Sequence, residues 1–384
     1  MRFEFASATR IIFGPGTVHE LAPLARPMGR RALVVTGRDP RRAEPLLATL
    51  PGAKISQALF QVAGEPTIDL VLQGVKCARE AGCDLVIAIG GGSVIDAAKA
   101  IAALVTNAGE LLDYLEVIGK GKALEQPALP FIAVPTTAGT GAEVTRNAVL
   151  TAPAQQVKVS LRSPFMLAKL AIVDPTLTVG LPAALTASTG LDALTQLIEP
   201  FVSCRANPLT DALCRDGLER VARSLRRAVT HPADLAARQD LALASLFSGL
   251  ALANAGLGAV HGFAAPIGGM FAAPHGAVCA ALLPHVMKVN LRALSERESR
   301  SEILPRYEEV GRRLTGQPGA TAEDGVRFIK DLCRSLEISP LRTYGIREGD
   351  GGVLCENAAQ SSSMKANPLP LTRSELKEIL EQAL

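Results

Sequence analysis

Two histidines, His261 and His275, bracket the stretch HGFAAPIGGMFAAPHG, which carries no charged residue. Imidazoles in so apolar a run are either buried, hydrogen-bonded core groups or ligands of one ion. A third group bears on the choice. In TGLDALTQLIEPF (189–201), a Thr/Gly turn opens a helix that sets Asp192, Gln196 and Pro200 at four-residue intervals on one face. A carboxylate turned inward on an apolar face is costly unless it is paired or coordinated. Asp192, His261 and His275 together supply one carboxylate and two imidazoles, a set that suits Zn²⁺ or Fe²⁺. Three protein ligands leave a position for a substrate oxygen, as a Lewis acid requires. Spacing alone leaves both the metal reading and the buried-histidine reading open.

Two glycine-rich loops offer a second kind of chemistry. GGGS (90–93) follows the apolar run DLVIAIG, and its glycines permit a tight turn and close backbone approach. Ser93 is placed to open and cap the next helix. The free N–H groups and positive helix end then suit a pyrophosphate at Gly91, Gly92 and Ser93; a plain strand-to-helix turn is the alternative. PTTAGTGAEVT (135–145) leaves another apolar run and brings the hydroxyls of Thr136, Thr137 and Thr140. Two such loops at one sheet end can hold both ends of a dinucleotide. VVTGRDPRR ends an earlier strand, with Gly37 at its end. An acidic residue just beyond such a strand takes the ribose hydroxyls of NAD, a role open to Asp39. Arg38, Arg41 and Arg42 around it could instead admit the 2′-phosphate of NADP, or form a solvated helix start.

The elements that must position these groups fall into two halves. Up to about residue 180, RALVVTG (31–37), DLVIAIG (84–90), LPFIAVP (129–135) and KLAIVDP (169–175) are near-continuous apolar runs ending in Gly or Pro. Strands covered on both faces read this way. With helices such as VIDAAKAIAALV (94–105) between them, they predict a Rossmann-like, doubly wound α/β domain over residues 1–180. Beyond it, LTDALCRDGLERVARSLRRAV (209–229) and LAARQDLALASLFSGLALANAG (235–256) carry apolar residues at three- and four-residue spacing. Residues 181–384 therefore read as an all-helical domain.

Bulk properties narrow the partners. Of 384 residues, 48% are hydrophobic and 20% charged, so the chain is globular. A net charge of +3 with interleaved signs, 4% aromatics and no Trp argue against a nucleic-acid surface. The N-terminus lacks the cationic head and apolar run of a secretory signal, and no uninterrupted apolar run is long enough to predict a membrane span. Seven scattered Cys without a CxxC pair fit reduced thiols in a cytoplasmic protein.

The ordered set GGGSVIDAAK, PTTAGTGAEVT, AIVDPTLT, TGLDAL and HG…PHG…LLPHVM resembles the iron-containing (group III) alcohol dehydrogenase family over nearly the whole chain. The resemblance implies a Rossmann-like N-terminal domain, a helical C-terminal domain, NAD(P), a divalent metal (iron or zinc), and reversible hydride transfer between an alcohol and its aldehyde or ketone. By position it makes Asp192, His261 and His275 metal ligands, and Gly91, Gly92 and Ser93 the pyrophosphate site. It sets Thr136, Thr137 and Thr140 at adenine and ribose, and Asn147 and Lys158 beside nicotinamide and substrate. Two positions depart from the family pattern: Gln196 stands where a fourth, histidine ligand is usual and offers the metal a neutral carbonyl oxygen, a weaker donor than imidazole, and Ala265 stands where a proton-relaying histidine is common. The related glycerol dehydrogenases manage with an Asp and two His around zinc. His285, at a predicted helix start, is then a possible proton donor or a structural group, and Arg146 or Arg162 a possible anchor for an anionic substrate. The resemblance further implies a homodimer. Rival readings are a lyase or cyclase like dehydroquinate synthase without net redox, a maleylacetate-reductase-like enzyme for an anionic substrate, and a non-catalytic metabolite-binding protein.

Overall fold

The structure is a computed structural model that describes residues 2–384. The chain forms two compact units: Ser7–Thr137 with Gly141–Thr178, and Ala138–Thr140 with Val179–Leu384 and the residues up to Ala6. Three residues of the second glycine-rich loop thus belong to the helical unit, a detail that a boundary at residue 180 omits.

The first unit is built on a six-stranded parallel sheet: β1 (Ile11–Phe13), β2 (Arg31–Gly37), β3 (Ser56–Val62), β4 (Leu85–Gly90), β5 (Phe131–Pro135) and β8 (Leu170–Val173). The strand order is β1-β8-β5-β4-β2-β3. The interior strands β4 and β5 are buried at every residue, hence their unbroken apolar runs. β3, at the edge, mixes exposed and covered residues and gives no such signal. From β2 the chain steps outward to β3 and then returns to β4 on the other side. The strand order therefore reverses between β2 and β4, where doubly wound sheets open a crevice for a ligand at their carboxyl ends.

The helix after β4 runs Gly92–Thr106 with Gly91 as its N-cap and no side-chain cap. Ser93 therefore lies inside the first turn and does not cap the helix, correcting the sequence expectation. A two-stranded antiparallel hairpin, β6 (Asn147–Ala152) and β7 (Val157–Arg162), is an element the apolar-run reading missed. Its β6 alternates half-buried and buried residues, so the signal was its period of two. The buried Lys99 ammonium anchors the hairpin, donating to the carbonyl of Asn147 at 2.8 Å and to Thr145 Oγ1 at 2.7 Å.

In the helical unit the long helices are Ala183–Val202, Pro208–Thr230, Leu235–Ala255, Ala259–Met270 and His275–Arg297. Thr189 and Gly190 lie within the first of these, so they open no helix as expected. Glycine at 190 answers a packing need: a Cβ there would stand 2.3 Å from Leu225 Cδ1 of the neighbouring helix. The shared core includes Leu191, Leu194, Phe201, Leu218, Val221 and Phe263. The His275–Arg297 helix is long and apolar enough to cross a membrane, but 72% of its apolar window is buried inside the protein. Its apolarity is that of a core helix.

Candidate active site

The Ala183–Val202 helix carries Asp192, Gln196 and Glu199, all buried. His261 lies in the first turn of Ala259–Met270, and His275 is the first residue of His275–Arg297. Packing of these three helices brings Asp192 Oδ1 to 3.5 Å from His261 Nε2 and 3.5 Å from His275 Nε2. Asp192 is only 3% exposed, and its Oδ1 has no hydrogen-bond partner. Its Oδ2 accepts from Thr140 Oγ1 at 3.3 Å. Burial alone would raise this carboxyl, but the two imidazoles and a hydrogen bond from Gln196 outweigh it and hold it at about 2.

Two residues that sequence reasoning did not single out complete the cluster. Cys279 Sγ lies 3.7 Å from Nε2 of both histidines. Burial opposes ionisation of its thiol, yet the adjacent rings pull it below its ordinary value. Cys279 stands four residues after His275, one helical turn on the same face, which is the signal that could have found it. Glu199 Oε2 accepts from His261 Nδ1 at 2.7 Å, and its Oε1 accepts from the backbone N–H of Val260 at 2.7 Å. A proton held on Nδ1 leaves Nε2 free to face Asp192. Glu199 also supplies an acceptor to a helix start whose N-cap, Gly258, has none; a Cβ at Gly258 would approach Glu199 Oε1 to 2.9 Å. Being seven residues after Asp192, Glu199 shares its helix face.

Gln196 faces Ser248 Oγ through its Oε1 at 3.5 Å while its side chain also reaches Asp192. Ala265, one turn past His261 and half-buried, brings no titratable group. His285 lies well inside its helix and not at a helix start; its Nδ1 meets Gln382 at 3.3 Å, and burial lowers its pKa. That contact ties down the C-terminal helix Arg373–Ala383.

In the α/β unit, Gly37 and Gly90 end the adjacent strands β2 and β4, and Thr136 and Thr137 follow β5. The Thr136 N–H donates to the Gly90 carbonyl at 2.9 Å, and a Cβ at Gly91 would come within 3.3 Å of Thr137 Oγ1. The two glycine-rich loops therefore meet beside the start of the Gly92–Thr106 helix, which has no side-chain cap, and a Cβ at Gly91 would crowd Thr137. Thr140 departs from the other threonines, its hydroxyl being turned to Asp192. Asp39 holds Arg41 through two contacts of 2.8 and 2.7 Å, and Arg38 donates to the Ala63 carbonyl. Asn147 opens β6; Lys158, on β7, pairs with Glu65 at 3.3 Å, and Arg162 pairs with Glu116 at 2.9 Å.

Comparison with known proteins supplies the context for these two sets of residues. Residues 8–175 match the family described as iron-containing alcohol dehydrogenase, and residues 186–384 match its C-terminal counterpart. A 1,3-propanediol dehydrogenase of Klebsiella pneumoniae is 36% identical, with 99% of this chain and 98% of that one covered. The chain belongs to the iron-containing alcohol dehydrogenase family. A crystal structure of a 1,3-propanediol oxidoreductase superimposes with a TM-score of 0.93 at 34% identity, over 100% of both chains. A sulfoacetaldehyde reductase from Bifidobacterium kashiwanohense, solved with NAD⁺, superimposes with a TM-score of 0.88 at 29% identity, covering 100% of this chain and 99% of that one.

Membership brings a nicotinamide dinucleotide and a divalent metal, and the residues present fit both. A buried carboxylate oxygen without a hydrogen-bond partner, facing two imidazole nitrogens, is a donor set that suits a cation. Separations of 3.5 Å match the edges, about 3.3–3.7 Å, of a tetrahedron whose ion–donor bonds are about 2.0–2.3 Å. The glycine-lined helix start, which has no side-chain cap, fits a pyrophosphate.

Glu199→Gln tests the support behind His261. One amide carbonyl cannot serve both donors now shared by the two carboxylate oxygens, so a buried N–H group faces another N–H. Metal affinity is expected to fall about 10- to 100-fold and stability by about 1–3 kcal/mol, read by metal titration and thermal unfolding. Unchanged metal affinity would remove Glu199 from the site.

Proposed function

We propose that this chain is a metal-dependent, NAD(P)-linked oxidoreductase that interconverts an alcohol and its aldehyde or ketone. The observation that carries this reading is the unpartnered, buried Oδ1 of Asp192 between the Nε2 atoms of His261 and His275. Those three residues would hold the metal. A divalent ion supplies Lewis acidity toward an alcohol or carbonyl oxygen, and the nicotinamide supplies or takes the hydride.

The chain's own groups prepare that chemistry. Glu199 keeps the proton on His261 Nδ1, and Thr140 donates to the Asp192 carboxylate. Gly91, Gly92 and the backbone of Ser93 bind the pyrophosphate, with Gly37, Thr136 and Thr137 around it, while Asn147 and Lys158 sit toward nicotinamide and substrate. His285 faces Gln382 through its Nδ1, a contact that favours its structural role. Relatives that are alcohol dehydrogenases favour net hydride transfer over a lyase or a binding protein. A cytoplasmic homodimer acting on a small-molecule substrate, without nucleic acid or membrane, completes the reading.

The test is an aldehyde, ketone and hydroxy-acid panel with NADH and NADPH, before and after chelation. Chelation is expected to abolish turnover and lower the thermal midpoint, with Zn²⁺ or Fe²⁺ restoring both; a metal bound at 100 times its dissociation constant stabilises by about 2.7 kcal/mol. Metal-free protein that retained full activity would end this reading. For the cofactor, the Asp39 carboxylate favours NADH, by accepting ribose hydroxyls and repelling a 2′-phosphate. Asp39→Asn is expected to raise NADPH use relative to NADH by about tenfold, equivalent to about 1.4 kcal/mol. An NADPH preference in the unaltered enzyme that vanished in Arg38→Ala would assign the turn to NADP instead.

A further inference from the structure

We infer that Cys279 is the fourth protein donor of the metal centre, so that the site is an Asp192–His261–His275–Cys279 set suited to zinc, whose coordination would expand to five to admit a substrate oxygen. The inference rests on the metal-dependent reading above. One donor atom from each of the four residues lies within 4.8 Å of all the others. Cys279 Sγ stands 3.7 Å from both imidazole Nε2 atoms, while Asp192 Oδ1 stands 3.5 Å from the same two. The sulfur edges are the longer ones, as the longer bond to a thiolate, about 2.3 Å, requires.

Three further observations point to sulfur rather than to an amide at this position. Gln196 turns its Oε1 toward Ser248 Oγ, 3.5 Å away. Cys279 is fully buried and on the same helix face as His275, one turn away, so a single rigid helix fixes both donors. The donor charges are compatible with a divalent cation: a carboxylate, a thiolate and two neutral imidazoles carry −2, with the Glu199 carboxylate beyond them on His261 Nδ1. Thiolate is a soft donor that favours zinc over magnesium- or manganese-type ions.

Co²⁺ is the probe, added to chelated, full-length Cys204→Ser protein so that this exposed thiol does not contribute. One bound Co²⁺ is expected to give a near-ultraviolet thiolate-to-cobalt charge-transfer band. The band disappears in Cys279→Ser and Cys279→Ala while cobalt stays bound, and it persists in Gln196→Ala. Zn²⁺ affinity in the Cys279 variants falls about 10- to 100-fold, at least the loss caused by outer-shell partners. Bound cobalt without the band, or a band that survives loss of the Cys279 thiol, overturns the inference and leaves the proposed function standing. Absence of any bound cobalt, measured by elemental analysis, overturns both.

Discussion

Asp192→Ala is expected to empty the metal centre and to lower kcat/KM for aldehyde reduction by about 10³-fold or more, a loss of about 4 kcal/mol of transition-state stabilisation. Asp192 is the carboxylate that faces both imidazoles, at 3.5 Å each, and nothing else hydrogen-bonds its Oδ1. Its removal takes away a buried anionic charge that offsets a cation, and charge acts most strongly away from water. Asp192→Asn separates charge from shape. It preserves the volume and can still meet Thr140, but it is neutral, so it is expected to lose metal almost as fully as the alanine variant. NADH binding should be unchanged in both variants, because the pyrophosphate site is made by the α/β unit. Elemental analysis, steady-state kinetics and NADH titration check these results together. A folded Asp192→Ala protein with metal and wild-type turnover would refute the assignment.

Gly276→Ala is expected to lower the thermal midpoint by roughly 2–12 °C and activity by about 100-fold. An ideal Cβ at this position lies 2.3 Å from the backbone oxygen of Ser188 and 2.8 Å from its carbonyl carbon. A backbone carbonyl inside a helix has no rotamer with which to retreat. The starts of the His275–Arg297 helix and the middle of the Ala183–Val202 helix must therefore separate. Overpacking of this kind costs about 1–3 kcal/mol, which a domain of this size registers as about 2–4 °C per kcal/mol. The separation also displaces His275, the adjacent residue, from Asp192; misplacement by about 1 Å costs on the order of 10²-fold in rate. Gly349→Ala, where a Cβ meets nothing within 4 Å, is the control and should leave both measurements unchanged. Equal behaviour of the two variants would show that the helix contact is not what positions His275.

The amino-acid sequence alone determined the features that rest on local chemistry. Continuous apolar runs marked the buried strands β2, β4, β5 and β8, because a strand covered on both faces needs apolar side chains at every position. Glycine clusters at the ends of β4 and β5 marked the loops that meet at Gly91 and Thr137, since close backbone approach excludes a side chain there. Asp192, His261 and His275 were legible as one set from residue type, apolar surroundings and family motifs. The hairpin β6–β7 was legible in principle through its alternation, but it was overlooked beside the stronger apolar runs. Tertiary structure alone decided how distant groups meet. It turned Thr140 away from the other threonines and toward Asp192, faced Gln196 to Ser248, set Glu199 against His261, and brought Cys279 to both imidazoles. Apart from the one-turn spacing of Cys279 from His275, these contacts join residues far apart in sequence, so each depends on the angle and depth at which the helices pack. That packing is fixed by the apolar side chains and close glycine contacts along their whole length, not by the polar residues whose chemistry it creates.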